Sequence, residues 1–245
     1  TPCAIKVVNY SSFTDQQKRQ LENEVRILTR LSLKFQDSTK NPFIHLYNAS
    51  ITGDNELSIV TELATGEELD LYCTRFVSGV PERIAKLVFY RILSAIKILH
   101  EEGISHLDLK LENIMYDRTK NQIKILDFGF ATNAKDSQGK TRYLSSYCGS
   151  MHYASPEIIN NIPYDGFKAD VWSLGVTLYA MLIGYFPFDT NTDDNEVIFT
   201  KIDENKPTYP RFLSTGAQKL LRSMLNSIPS QRPSISDIME HQWFY

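Results

Sequence analysis

Residues 106–113 read His106-Leu107-Asp108-Leu109-Lys110-Leu111-Glu112-Asn113, and the apolar run Ile123-Lys124-Ile125-Leu126 then delivers Asp127-Phe128-Gly129. An isolated Asp or Asn in a loop is ordinarily a turn former, because its short side chain bonds nearby backbone. Here Asp108, Lys110 and Asn113 follow closely on a long apolar helix pattern, and Asp127 closes a strand pattern. Ser155-Pro156-Glu157 comes downstream, and upstream Ala4-Ile5-Lys6 places a lysine inside an apolar strand. Each fragment alone would arise by chance often; the ordered set would not.

Around that stretch the chain divides by texture. Residues 3–8 read as a short buried strand. Thr14 with Gln17 forms a capping box ahead of a helix whose apolar stripe is Leu21, Val25, Leu28 and Leu31. Glu24 falls within that stripe, between Leu28 and Leu31 on the helical wheel. A carboxylate there is unfavourable unless paired, so it is either a stripe-edge residue or half of an ion pair. Residues 43–49 and 56–63 read as strands joined by a Gly53-Asp54-Asn55 turn. Beyond residue 81 helices dominate. Pro81 suits a first turn, Ile84, Val88, Ile92, Ala95, Ile96 and Leu99 recur at helical spacing, and Gly103 ends the pattern. Further helices are expected near 157–161, 168–184, 193–204, 214–226 and 234–241, and two short strands within 114–126 around a turn at 117–122. Residues 132–150 lack periodicity and read as a long surface loop, which in a compact domain usually serves a function.

The 245 residues carry a formal net charge of −3, with 42% hydrophobic and 22% charged side chains. That balance is ordinary for a globular chain with its own core. No Lys/Arg run offers a footprint for nucleic acid. Cys3, Cys73 and Cys148 are odd in number and form no C-x-x-C pair. That argues against a disulfide framework or zinc knuckle and for a reduced, intracellular setting, with the cytoplasm expected. No signal-peptide pattern opens the sequence. The uncharged stretch Val171–Phe188 is at the lower limit of a membrane span and is interrupted by Gly175, Gly184 and Pro187. A helix buried on all sides is expected there, not membrane insertion.

The ordered set resembles the signature of the eukaryotic serine/threonine protein kinases: a lysine strand, a catalytic loop, an Asp-Phe-Gly turn and an Ala-Pro-Glu-like motif. The resemblance covers nearly the whole chain, including Asp170 at the head of the buried helix and Arg232 in Gln231-Arg232-Pro233-Ser234. It implies an α+β, bilobal fold, with a small β-rich lobe over residues 1–63 and a larger, mainly helical lobe over 64–245. ATP and Mg2+ are implied as cofactors and protein Ser/Thr hydroxyls as acceptors. Asp108 would orient the attacking hydroxyl and accept its proton, and Lys110 would steady the transferred phosphate. Lys6, paired with Glu24, would clamp the α and β phosphates. Asn113 and Asp127 would supply hard oxygen ligands to the metal.

The same resemblance makes Thr61 the gatekeeper at the back of the adenine site, with Glu62 and Ala64 offering backbone hydrogen bonds. Glu68 would border the nucleotide and, with Glu112, match acidic positions that read a basic residue near the phosphosite. Ser150 would bond the catalytic Asp and Lys. Tyr147-Cys148-Gly149-Ser150 and Gly184-Tyr185-Phe186-Pro187-Phe188 are similar to the calmodulin-dependent and AMP-activated kinase group. Structural parts are implied for His106, for Trp172 and for a Glu157–Arg232 ion pair, and Cys148 would lie in the substrate-facing loop.

Two departures qualify the pattern. Leu107 stands where most of the family has an Arg that holds an activation-loop phosphate, and Thr132 occupies a second position that is often basic. Phosphorylation of Ser145 or Ser146 would meet little positive charge there, so it is expected not to be strictly required for activity. The family's glycine-rich loop and its two strands would lie upstream of residue 1. The alternative function is a pseudokinase scaffold or nucleotide-binding module; the presence of Lys6, Glu24, Asp108, Lys110, Asn113 and Asp127 together argues against it.

Overall fold

A computed structural model describes residues 2–52, 55–146, 148–190 and 194–245. Strand β1 (Cys3–Asn9), helix α1 (Asp15–Lys34) and strands β2 (Leu46–Ile51) and β3 (Glu56–Glu62) form the first part. The three strands are antiparallel in the order β1-β3-β2. Thr14 opens α1 with the expected capping box: Gln17 N donates to the Thr14 hydroxyl, and Thr14 N donates to Gln17 Oε1. The tip joining β2 to β3, where the Gly53-Asp54-Asn55 turn is expected, has residues 53 and 54 outside the described residues.

The buried strand expected at residues 3–8 is present but not buried. Ile5 is 59% and Val7 53% exposed. Successive side chains of a strand point to opposite faces. Val8 therefore reaches the cluster of Leu21, Leu57 and Ile59 beneath α1, while Ile5 and Val7 fall on open surface. Among the described strands β1 is also an edge, paired only with β3.

The second part is mainly helical. In chain order it holds β4 (Glu67–Glu68), α2 (Leu69–Cys73), α3 (Glu82–Glu101), β5 (Ile104–Ser105), β6 (Ile114–Asp117), β7 (Gln122–Ile125), β8 (Thr132–Asn133) and β9 (Tyr143–Leu144). There follow α4 (Pro156–Ile159), β10 (Tyr164–Asp165), α5 (Gly166–Ile183), α6 (Asn195–Glu204), α7 (Thr215–Met224) and α8 (Ile235–Met239). The segment expected as a plain loop at 132–150 thus contains β8, which pairs with β5, and β9, which pairs with β10. Pairs of two residues leave no alternation for a pattern to reveal.

Helix α3 buries Val88, Ile92, Ala95, Ile96 and Leu99 as its spacing requires, and Gly103 ends it at φ +76°. Helix α5 is buried almost all round from Ala169 to Ile183, as expected for Val171–Phe188. Among the described residues no helix is long and apolar enough to cross a membrane. Against α5 lies the expected Glu157–Arg232 pair. Arg232 donates through Nη1 and Nη2 to the two Glu157 oxygens at 2.6 and 2.7 Å, through Nε to Asn226 O at 2.8 Å, and lies over the Trp172 ring at 4.9 Å. Every charge in this buried pair has a bonded partner, which is the condition under which such a pair is tolerated.

Arg232→Met leaves Glu157 charged and buried without its partner, and is expected to lower unfolding stability by roughly 3–5 kcal/mol. The double variant Glu157→Leu/Arg232→Met is expected to recover part of that loss. Equal urea midpoints for the wild type and Arg232→Met would refute this account.

Candidate active site

The loop after α3 is shaped by one carboxylate. Asp170, fully buried at the start of α5, accepts His106 N through Oδ2 at 2.9 Å and Leu107 N through Oδ1 at 2.8 Å. His100 Nε2 lies 2.9 Å from the same Oδ2. These bonds hold Leu107 at φ +65°. That conformation is strained for a residue with a bulky side chain. Gly149 passes directly beneath: a Cβ there would lie 2.5 Å from Leu107 O, and Gly149 itself has φ +86°. Only glycine fits both demands.

The held loop presents Asp108, whose carboxylate has three side-chain neighbours. Lys110 Nζ is 3.2 Å from Oδ2, Asn113 Nδ2 donates to Oδ2 at 2.9 Å, and Ser150 Oγ donates to Oδ1 at 2.9 Å. Lys110 Nζ also donates to Ser150 Oγ at 2.8 Å, closing a small ring of polar contacts. Asp108 N donates to His106 Nδ1 at 3.3 Å, so the ring proton is on Nε2, which donates to Leu126 O at 3.0 Å. Burial lowers the His106 pKa and keeps the ring neutral. It serves as a packed strut against Phe128, with ring centroids 5.0 Å apart.

Phe128 is fully buried between His106 and Phe43, and this anchors Asp127 at φ +53°, exposed toward a cavity of about 520 Å³. Lys6, Glu24, Thr61, Glu62 and Ala64 line the same cavity. Lys6 Nζ lies 3.3 Å from Glu24 Oε2. Glu24 is buried, and burial raises its pKa; Lys6 opposes that shift and Asp127 adds to it. Of the two readings open for Glu24, the ion pair is the one observed.

The cavity floor and walls include Ala4, Ile59, Met115 and Leu126. Met115 and Leu126 carried no signal in the sequence, because their place depends on the folding-over of β6 and β7. Glu62 N already donates to His45 O at 2.9 Å, and its side chain accepts His45 N and pairs with Lys124. Its N–H and carboxylate are thus committed, whereas among the described residues Ala64 N has no backbone partner.

Asp108, Lys110, Asn113 and Ser150 adjoin this cavity without lining it, and other expected residues stand further off. Glu68 is exposed at the start of α2, and Glu112 is exposed with Oε2 accepting from Tyr153 OH at 3.2 Å. Cys148, in the loop before Ser150, is buried, 3.1 Å from Tyr164 OH, in an apolar cluster with Leu107, Ala154 and Ile158. Ser145 and Ser146 are exposed beside it, and Tyr147 lies outside the described residues.

A metal ion shared with a ligand suits the donors present. Asp127 offers a carboxylate, and Asn113 commits its nitrogen to Asp108, leaving its amide oxygen for a cation. Among the described residues no group of three or more His, Cys, Asp or Glu could cage a metal alone. Mg2+ commonly binds in this way, through one or two protein oxygens plus phosphates.

Comparison with known proteins agrees with this arrangement. The protein kinase domain model matches residues 1–244. The maternal embryonic leucine zipper kinase of Xenopus tropicalis is 36% identical over 241 residues, covering 98% of this chain and 34% of that protein. The CBL-interacting serine/threonine-protein kinase 1 of Arabidopsis thaliana is 34% identical over 245 residues, covering 98% of this chain and 52% of that protein. CBL-interacting protein kinase 1 of Oryza sativa subsp. japonica is 36% identical over 235 residues, covering 90% of this chain and 50% of that protein. The fold is thus a bilobal, α+β kinase fold, and the chain spans about a third to a half of the length of these relatives. It belongs to the protein kinase domain family, and its sequence resembles the calmodulin-dependent and AMP-activated kinase group.

Thr61→Met fills the back of the cavity, and nucleotide-site inhibitors with bulky aryl groups are expected to lose on the order of tenfold in potency. Equal potency would remove Thr61 from that position. Glu24 has a raised folded pKa, so its contribution to stability is present below the ordinary carboxylate pKa and lost as pH rises through the raised value. Glu24→Gln removes that penalty. Relative to wild type, its unfolding midpoint is expected to rise between pH 4 and pH 7.5, and the opposite trend would reverse the assignment.

Proposed function

We propose that this chain is an active serine/threonine protein kinase that transfers the γ-phosphate of ATP to hydroxyls of protein substrates. The observation that carries the proposal is the Asp108 carboxylate, held by Lys110, Asn113 and Ser150. It lies on the same framework as Asp127 and the Lys6–Glu24 pair. In this reading residues 1–63 form the small lobe and 64–245 the large one, and the protein works inside the cell, in the cytoplasm.

ATP is the phosphoryl donor, and Mg2+ when bound neutralises charge on its phosphates. Lys6 binds the α and β phosphates, and Glu24 keeps its ammonium aimed at them. Asp127 and Asn113 hold the metal. Thr61, the Glu62 carbonyl and Ala64 receive the adenine, with Glu68 at the edge of the site. Asp108 accepts a hydrogen bond from the substrate hydroxyl and takes its proton as the new oxygen–phosphorus bond forms. The bond from phosphorus to the β–γ bridging oxygen breaks, and that oxygen leaves with ADP. Lys110 offsets the charge on the moving group, and Ser150 fixes both Lys110 and Asp108. Preorganised charge of this kind is the main catalytic lever in phosphoryl transfer.

Glu68 and Glu112, both exposed acids, favour a substrate with basic residues near the phosphosite. Activity does not strictly require phosphate on Ser145 or Ser146, because Leu107 is packed in an apolar cluster and offers no cation.

The test is transfer of labelled γ-phosphate from Mg-ATP to a serine peptide panel, using the full-length protein beside Asp108→Ala. Loss of a general base is expected to lower kcat by roughly 10²–10⁴, with basic peptides preferred and Ser146→Ala fully active. Nucleotide binding without transfer would support the scaffold alternative. A panel with no basic preference would remove Glu68 and Glu112 from substrate choice.

A further inference from the structure

We propose that Gln20 and Asn23 are positioning residues: two neutral amides on α1 that clasp the segment after Asp127 and keep Glu24 at Lys6 without a phosphate. The proposal rests on the kinase reading of this site and names what replaces phosphate-dependent ordering in it.

Positions 20, 23, 24 and 27 share one face of α1. Ile27 is buried in the core and Glu24 is bonded to Lys6, so this face is turned toward the site. Gln20 Nε2 donates to Gly129 O at 2.8 Å, and Asn23 Nδ2 donates to Ala131 O at 2.7 Å. The same two residues are also held through their N–H groups: Gly129 N donates to Asp127 Oδ1 at 3.1 Å, and Ala131 N to Phe128 O at 3.1 Å. Both backbone polar groups of Gly129 and Ala131 are therefore engaged. Ala131 is 1% exposed. Losing Asn23 thus leaves a buried carbonyl without its donor.

The rest of the segment is fastened largely through neutral groups. Ile104 pairs with Asn133, Leu144 pairs with Tyr164, Cys148 meets Tyr164 OH, and Gly149 lies beneath Leu107 O. Lys135, Lys140 and Arg142 all stand in this stretch, yet among the described residues no salt bridge ties 128–149 to the remainder. Contacts between neutral groups need no added charge and are not screened by salt.

The experiment uses the full-length protein after phosphatase treatment, as wild type, Gln20→Leu, Asn23→Ala and Asn23→Asp. Leu keeps length without a donor, while Asp keeps shape but turns an oxygen toward Ala131 O. Each lost bond is expected to lower kcat roughly 2- to 10-fold, with Asn23→Asp worse than Asn23→Ala and KM for the peptide unchanged. Raising salt from low to high ionic strength is expected to leave these ratios unaltered. Hydrogen exchange over residues 127–133 gives a readout that needs no turnover, and protection there is expected to fall in the variants. Unchanged kcat and unchanged protection in all three variants would overturn the clasp, as would loss of protection in the phosphatase-treated wild type. Absence of transfer by the wild type itself would count against the kinase reading, and the exchange data would then decide the clasp alone.

Discussion

Asp170 lies wholly inside the protein, and each of its oxygens accepts a backbone N–H from the loop that carries Asp108. An ionised carboxylate in that position is tolerable only because it is fully bonded. In return it holds Leu107 in a conformation that costs about 1–3 kcal/mol by itself. The turn at Leu107 aims Asp108 at Lys110, Asn113 and Ser150. It also sets the Leu107 carbonyl where only a glycine can pass, at Gly149. A single buried acid on α5 thus fixes both the loop that presents Asp108 and the path of the segment that covers it.

Helix α5 can bear this role because it is surrounded. Its apolar residues meet the rest of the core, and Trp172 lies under the Arg232 guanidinium that also grips Glu157. The segment leaving Ser150 is consequently held at both ends, by Asp108 at one and by Glu157 at the other. The site and the core are thereby joined through shared residues into a single cooperative unit.

Much of this was legible in the sequence, for reasons that differ by element. Helices α1 and α3 declare themselves because their apolar residues repeat over several turns, α5 because its stretch is uncharged and continuously apolar, and Thr14–Gln17 marks a start that needs no tertiary context. Asp108, Asn113, Asp127 and Lys6 are legible as an ordered set, and Glu24 because a charge interrupts an apolar stripe. The exposure of Ile5 and Val7 was not legible, since an apolar strand looks the same whether one face or two are covered. The two-residue strands escaped because they are defined by partners far away in the chain. Gln20 and Asn23 read only as polar residues of a helix surface. Their role arises from where residues 129 and 131 come to lie, and nothing local encodes that.

The electrostatics of the cavity explain why α1 needs such support. In its lining Glu24 and Asp127 set two carboxylates against the one ammonium group of Lys6, while Glu62 is paired with Lys124. Glu24 is disfavoured as an anion by burial and further by Asp127, and half-exposed Lys6 offsets this only in part. Charge alone would therefore let α1 drift outward, toward water that solvates Glu24 better. What resists the drift is not charge: Ile27, Leu28 and Leu31 bury apolar surface, and the amides of Gln20 and Asn23 hold backbone carbonyls. The negative excess is thereby kept in place; in the proposed function it is what a divalent cation and a phosphate chain would meet.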